Sequence, residues 1–292
     1  MRLTEYDDIG EFAALAFVVI FGMVVWATVA EQRLAAFTRD PAGARAQTLA
    51  RRAAARTTVR TLLVTLRPTR RLITIPWVAC AAALAILTVG VLTGVTRQFD
   101  AVTLPWFTAL DTPGVGHLTA RVLVMGGQFW LVGTAATGVA VWRGIQQRNV
   151  RPVVVTGAAM VVMSVSIWLL KVLVGRTAPR GGANTVLAGG HSYPSGHAAT
   201  AVVCLALAAA LIARTPHTRR WLLPLASAAA GVVGVCTIVL GYHWVTDVAA
   251  GWAAGSILAI PAIRWLGRYP ATRPRTSPTP PSGESRKARG IA

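Results

Sequence analysis

The sequence predicts an all-α fold: a polytopic membrane helical bundle with a six-helix core and one extra N-terminal transmembrane helix. Three observations predict it. The 292 residues are 54% hydrophobic and only 13% charged, with a mean hydropathy of +0.55. Seven apolar runs have about the length, roughly 20 residues, that a helix needs to cross a bilayer. The arginines collect between those runs, as they do in the cytoplasmic loops of multi-pass proteins.

The formal net charge is +19. In a soluble chain that excess would point to nucleic acid. Here it marks membrane-flanking loops that meet anionic lipid headgroups, and no nucleic-acid partner is expected. Cys80, Cys204 and Cys236 all lie inside apolar runs, with no CxxC spacing, which argues against a disulfide framework or a cysteine metal site.

Met1 to Glu11 carries Glu5, Asp7, Asp8 and Glu11 against Arg2. The apolar run Phe12–Ala30 follows. An acidic start is wrong for a cleaved signal peptide, so this run reads as a retained helix. Glu31–Leu72 holds ten arginines from Arg33 to Arg71 and is broken at Pro41-Ala42-Gly43. Its second half has the composition of an interfacial helix or a solvated basic linker, and anionic headgroups are its expected partner.

Ile73–Val95 reads as the first core span, and Thr96–Ala120 as a mixed loop with Asp100, Pro105, Trp106, Asp111, Pro113 and His117. The next spans are Arg121–Trp142, Pro152–Val174, Ser195–Ala213, Leu222–Tyr242 and Asp247–Leu266. The tail is rich in proline and basic residues and reads as disordered. The positive-inside rule puts the linker, the 143–151 loop, the 214–220 loop and the tail in the cytoplasm. It puts the 96–120 loop, the 175–194 loop and the 243–246 turn outside.

The polar residues of chemical interest gather at that outer level. Tyr193-Pro194-Ser195-Gly196-His197 separates a glycine-rich loop from an apolar run. Pro194 favours an extended residue before it, and Ser195 is a good N-cap. A helix starting here aims the backbone N–H groups of Gly196 and His197 at the loop, an arrangement suited to phosphate. His243 and Asp247 are spaced i, i+4, which puts them on one face if the helix extends back to His243. A carboxylate on one imidazole nitrogen leaves the other as base or nucleophile. Lys171 and Arg176 add positive charge for a phosphate dianion. The two histidines and Asp247 also have the ligand types of a zinc site, and an interfacial cluster without chemistry has the same composition. The neighbouring cations fit an anion better than a metal.

These residues resemble the three motifs of the type 2 phosphatidic acid phosphatase family, which shares its core with the vanadium haloperoxidases. Lys171 through Arg176 to Ala178-Pro179 stands for the first motif. Pro194-Ser195-Gly196-His197 is the second, complete, and Cys236-Thr237 through His243 to Asp247 stands for the third. The resemblance implies that His243 attacks phosphorus to form a phosphohistidine, Asp247 orients it, and His197 protonates the leaving oxygen. Lys171, Ser195 and Gly196 would hold the phosphoryl oxygens, with no metal or other cofactor. Two family arginines are replaced, by Ala178 and Thr237. Arg176 and Arg180 flank Ala178, and Arg176 is expected to be the substitute phosphate ligand.

The resemblance covers a six-helix lipid phosphatase core (73–266); outside it lie the N-terminal transmembrane segment (1–30), the basic cytoplasmic linker (31–72) and the disordered basic tail (267–292). The expected function is hydrolysis of a lipid phosphate or diphosphate, phosphatidate-like or polyprenyl, at the extracytoplasmic face of the cell membrane. A phosphotransferase on the same site and a non-catalytic lipid-binding or transport relic of the fold are the alternatives.

Overall fold

The computed structural model describes residues 71–267. The N-terminal span, nearly all of the basic linker and the tail lie outside the described residues. Every regular element among the described residues is helical. In chain order these are α1 (Arg71–Leu92), α2 (Arg97–Thr108), α3 (Val115–Val124), α4 (Thr134–Gln147), α5 (Arg151–Val174), α6 (Gly196–Ile212), α7 (Pro216–Val239) and α8 (Val245–Gly267).

The surface has a bilayer's signature. Large apolar side chains face outward along the helices, among them Ile86, Val89, Val162, Leu173 and Leu225. Water does not tolerate so continuous an apolar exterior, whereas lipid does. Trp142, Trp221 and Trp265 are also exposed, at the ends of α4, α7 and α8 that lie away from the histidines, where an aromatic belt meets the headgroups. Among the described residues four helices are long and apolar enough to cross a membrane. A bent pair, α3 through α4, raises that to five.

α6 is the hub. It is apolar all round, as a helix surrounded by others should be, and it packs against α4, α5, α7 and α8. The main core joins Val203, Cys204 and Leu207 of α6 to Met160, Met163 and Ile167 of α5. α8 lies close along α6, and Gly251 makes this possible. A Cβ there would stand 2.5 Å from the Ser195 carbonyl oxygen. The close approach locks the start of α6 to α8.

Two expectations are corrected. The segment 96–120 is not a loop but largely helical, forming α2 and α3. Pro105 and Asp100 interrupt its apolar pattern, yet α2 runs on through Pro105 to Thr108 and Asp100 is fully buried. The expected continuous span Arg121–Trp142 is broken. α3 ends at Val124, a 3₁₀ turn covers Met125–Gly127, Gln128 is extended, and a π-helical turn covers Phe129–Gly133 before α4 begins. The two halves meet at 51°. The cause is close contact at Gly127, where a Cβ would come within 2.7 Å of the His197 Cβ and 2.9 Å of the His197 carbonyl oxygen. The bend lets the chain pass against the first turn of α6.

Candidate active site

Helix direction assembles the site. α5 and α7 end where α6 and α8 begin, so the segments 171–180, 191–197 and 237–247 meet at one end of the bundle. Ser195 caps α6 as its residue type predicts, its Oγ accepting from the Ala198 N–H at 3.4 Å. The Ser195 N–H donates to the Asp247 carbonyl oxygen at 2.9 Å, tying the start of α6 to the first turn of α8. Lys171, in the last turn of α5, is buried and acts electrostatically on His197.

His197 and His243 face each other edge-on, with ring centroids 6.4 Å apart. His243 follows Gly241, which has φ +66° in the turn after α7. The carboxylate of Asp247 lies 3.6 Å from His243 Nδ1, just beyond hydrogen-bonding distance. Ser192 fills that step. Its Oγ–H donates to Asp247 Oδ2, and its oxygen lies 3.4 Å from His243 Nδ1. The same Oδ2 also accepts the Trp244 N–H at 3.0 Å. Acceptors on the Nδ1 side favour the tautomer protonated there, which leaves the Nε2 lone pair for chemistry.

Arg176 does not stand where a substrate ligand is expected. It is 1% exposed, and four hydrogen bonds commit its guanidinium to protein acceptors. Nη1 donates to Asp247 Oδ1 at 2.6 Å and Thr246 Oγ1 at 2.8 Å, Nη2 to Asp100 Oδ2 at 2.6 Å, and Nε to Asn184 Oδ1 at 3.0 Å. Its geometry is that of a buried clamp between two carboxylates, and this replaces the phosphate-binding role read from the sequence. Asp100 completes the clamp, with Oδ1 accepting the Thr246 N–H at 3.0 Å and Oδ2 the Thr246 hydroxyl at 2.6 Å. Asp100 and Asp247 thus both satisfy N–H groups at the start of α8, where negative charge is favourable.

Neither replaced arginine position offers a donor to an anion through its side chain. The Thr237 hydroxyl is buried and turned back onto the Gly234 carbonyl at 2.6 Å. Arg180, in contrast, spans from the first motif to the third. Its Nε and Nη2 donate to the Leu240 carbonyl at 3.1 and 2.7 Å, and its guanidinium lies 4.4 Å from the centre of the Tyr242 ring. The 175–194 loop is anchored from below by Tyr193. This side chain is fully buried and hydrogen-bonds the Thr88 hydroxyl of α1 at 2.8 Å. Burial pushes its phenol up to about 12, against the opposing effect of the Thr88 bond, so it stays neutral.

Sequence reasoning missed Asp100, Ser192 and Thr246. One signal was available for Asp100. It is one of only ten acidic residues in the chain, and it sits in a membrane-level segment where an ionisable group needs a partner. As for the zinc alternative, no group of three or more His, Cys, Asp or Glu side chains among the described residues is arranged to hold a metal ion.

The class is that of a helical membrane bundle with a polar site at one end, where His197 in the first turn of α6 faces His243 in the turn before α8. The chain belongs to the PAP2 superfamily, whose sequence model matches residues 78–270. Among solved structures it is similar to a transmembrane PAP2-type phosphatidylglycerolphosphate phosphatase from Bacillus subtilis. The identity is 17%, the TM-score 0.55, and the match covers 68% of this chain and 98% of that one. At that identity the likeness shows the fold. No curated protein matches the chain. The protein is a multi-pass membrane protein, and its family supports a phosphatase.

Proposed function

We propose that the protein hydrolyses a lipid phosphate or diphosphate at the extracytoplasmic face of the cell membrane, through a phosphohistidine on His243. The observation that carries this reading is the placement of His243. Its Nδ1 side is backed by Ser192 and Asp247, and its ring faces His197. In the first step Nε2 of neutral His243 attacks phosphorus and an N–P bond forms. The P–O bond to the lipid breaks as His197 gives its proton to the leaving oxygen. In the second step His197 takes a proton from water, the water oxygen bonds phosphorus, and the N–P bond breaks to release inorganic phosphate. Lys171, Ser195 and the Gly196 N–H hold the phosphoryl oxygens, whose charge needs preorganised donors. Arg180 is exposed, reaches the third motif at the Leu240 carbonyl, and takes over part of the role of the two missing arginines.

Phosphate release from a panel of lipid phosphates and diphosphates by the purified protein tests the reading. Turnover on at least one of them is expected, and Ala178→Arg should lower its KM and tighten vanadate inhibition. If neither protein turns over any lipid nor binds vanadate, the non-catalytic reading replaces this one. That alternative draws its support from Ala178 and Thr237. Passage of phosphate to an acceptor other than water would identify a phosphotransferase.

Orientation is tested separately. In a cysteine-free background, cysteines at exposed Ala183 and exposed Gln147 should label oppositely with an impermeant thiol reagent in intact cells. Ala183 is used because the neighbouring Asn184 bonds Arg176. Labelling at Gln147 alone would place the histidines in the cytoplasm.

A further inference from the structure

We propose that Asp100 is a positioning residue for His243, acting through Arg176, Thr246 and Asp247. The proposal rests on the histidine chemistry proposed above and adds a residue from outside the three motif segments.

Asp100 is wholly buried on α2, where an unpaired carboxylate is costly. A carboxylate serving only α2 would bond to α2 or its neighbours in sequence. Among the described residues, every side-chain bond of Asp100 instead reaches the active site. Two come from Thr246 in the first turn of α8 and one from Arg176 after α5. Both donor residues also bear on Asp247. Thr246 precedes it in the chain and accepts from the same Nη1 that donates to Asp247 Oδ1.

The consequence is orientational. The Asp247 carboxylate is held at both oxygens: Oδ1 by Arg176, and Oδ2 by Ser192 and the Trp244 N–H. Asp100 draws Arg176 Nη2 away from Asp247, so the guanidinium meets only one Asp247 oxygen. The other is left to Ser192, whose Oγ stands next to His243 Nδ1. Without the Asp100 charge, the planar fork can turn to grip both Asp247 oxygens, the bidentate geometry that Arg–carboxylate pairs favour. Ser192 then loses its acceptor, and the Nδ1-protonated tautomer of His243 loses its support.

The test uses full-length protein in detergent micelles with its histidines labelled with ¹⁵N. The His243 signals are identified by their absence in His243→Gln. Asp100→Asn keeps the shape of the side chain and removes its charge. Wild type should show His243 in a single Nδ1-protonated tautomer, and Asp100→Asn should show a tautomer mixture. Asp111→Asn, a control at the separate His117–Asp111 pair, should leave the His243 signals in place. In turnover, Asp100→Asn should lower kcat at least about tenfold with KM within about threefold, the pattern of a group acting on the reacting atom and not on substrate binding. Thr246→Val removes only the hydroxyl link and should move both readouts the same way by less, and it decides the matter if Asp100→Asn does not fold. Unchanged His243 signals in a folded variant would overturn the proposal. So would a rise in KM alone, which would return Arg176 and Asp100 to anion binding. If wild type turns over no lipid phosphate, the proposed function fails, while the tautomer readout still decides the role of Asp100.

Discussion

Replacing His243 with alanine should abolish phosphate release, by on the order of 10⁴-fold or more, in a protein that still inserts and folds. The size follows from its role. A nucleophile that forms the covalent intermediate has no substitute within reach. His197 faces it across 6.4 Å but belongs to the start of α6, where the proposed mechanism gives it proton transfer. His197→Ala should therefore cost less, about 10²–10⁴-fold, and most for lipids with poor leaving groups. Asp247→Asn should lower kcat while the folded protein still binds vanadate, because the amide offers Ser192 a poorer acceptor and the imidazole tautomer is no longer fixed. Alkaline quench after brief mixing with ³²P-labelled substrate reads the intermediate directly, since a phosphohistidine is base-stable, and the protein-bound label should then be lost on acidification. Wild-type turnover in His243→Ala would end the covalent mechanism on this residue.

The parts of this site that were legible in the sequence are those whose partners are near in sequence. Ser195 as a cap depends on Ala198 three residues on, and His243 with Asp247 depends on a spacing of four residues across the start of α8. The membrane bundle was legible because apolar runs of spanning length have few other uses. The bend before α4 was not, because Gly126-Gly127 is unremarkable until His197 is seen pressed against it. Nor was α2, since Pro105 and Asp100 look like loop residues when the apolar pattern is the guide.

Arg176 shows the limit most clearly. Its charge and its position five residues after Lys171 suit a phosphate ligand equally well on paper. Its actual partners, Asp100 and Asp247, lie 76 and 71 residues away. Sequence spacing cannot distinguish an arginine aimed at substrate from one aimed at a carboxylate on another helix. The acidic balance hinted at the answer. In so basic a chain, an aspartate at membrane level needs a cation, and Arg176 meets two of them.

Arg176→Ala should accordingly be a folding mutation before it is a kinetic one. Removing the guanidinium leaves Asp100 and Asp247 buried with no counter-charge between them, and breaking a buried pair from one side costs about 3–5 kcal/mol. That is a large share of the roughly 5–15 kcal/mol by which proteins are commonly stable. The variant should unfold at a much lower temperature in detergent and accumulate poorly in the membrane. Arg176→Lys keeps the charge but replaces a five-donor fork with a point charge that cannot reach Asn184, Asp100 and Asp247 together. It should fall between wild type and Arg176→Ala in stability. Removing the clamp from both sides distinguishes an ion pair from simple packing. Arg176→Met combined with Asp100→Asn takes away one charge of each sign and should recover part of the stability that Arg176→Met loses alone, a coupling measurable by a double-mutant cycle. A surface-lipid role predicts the opposite pattern: Arg176→Ala as stable as wild type, no coupling to Asp100, and an effect confined to the KM of lipid substrates. Thermal unfolding of the four proteins in one detergent decides between them.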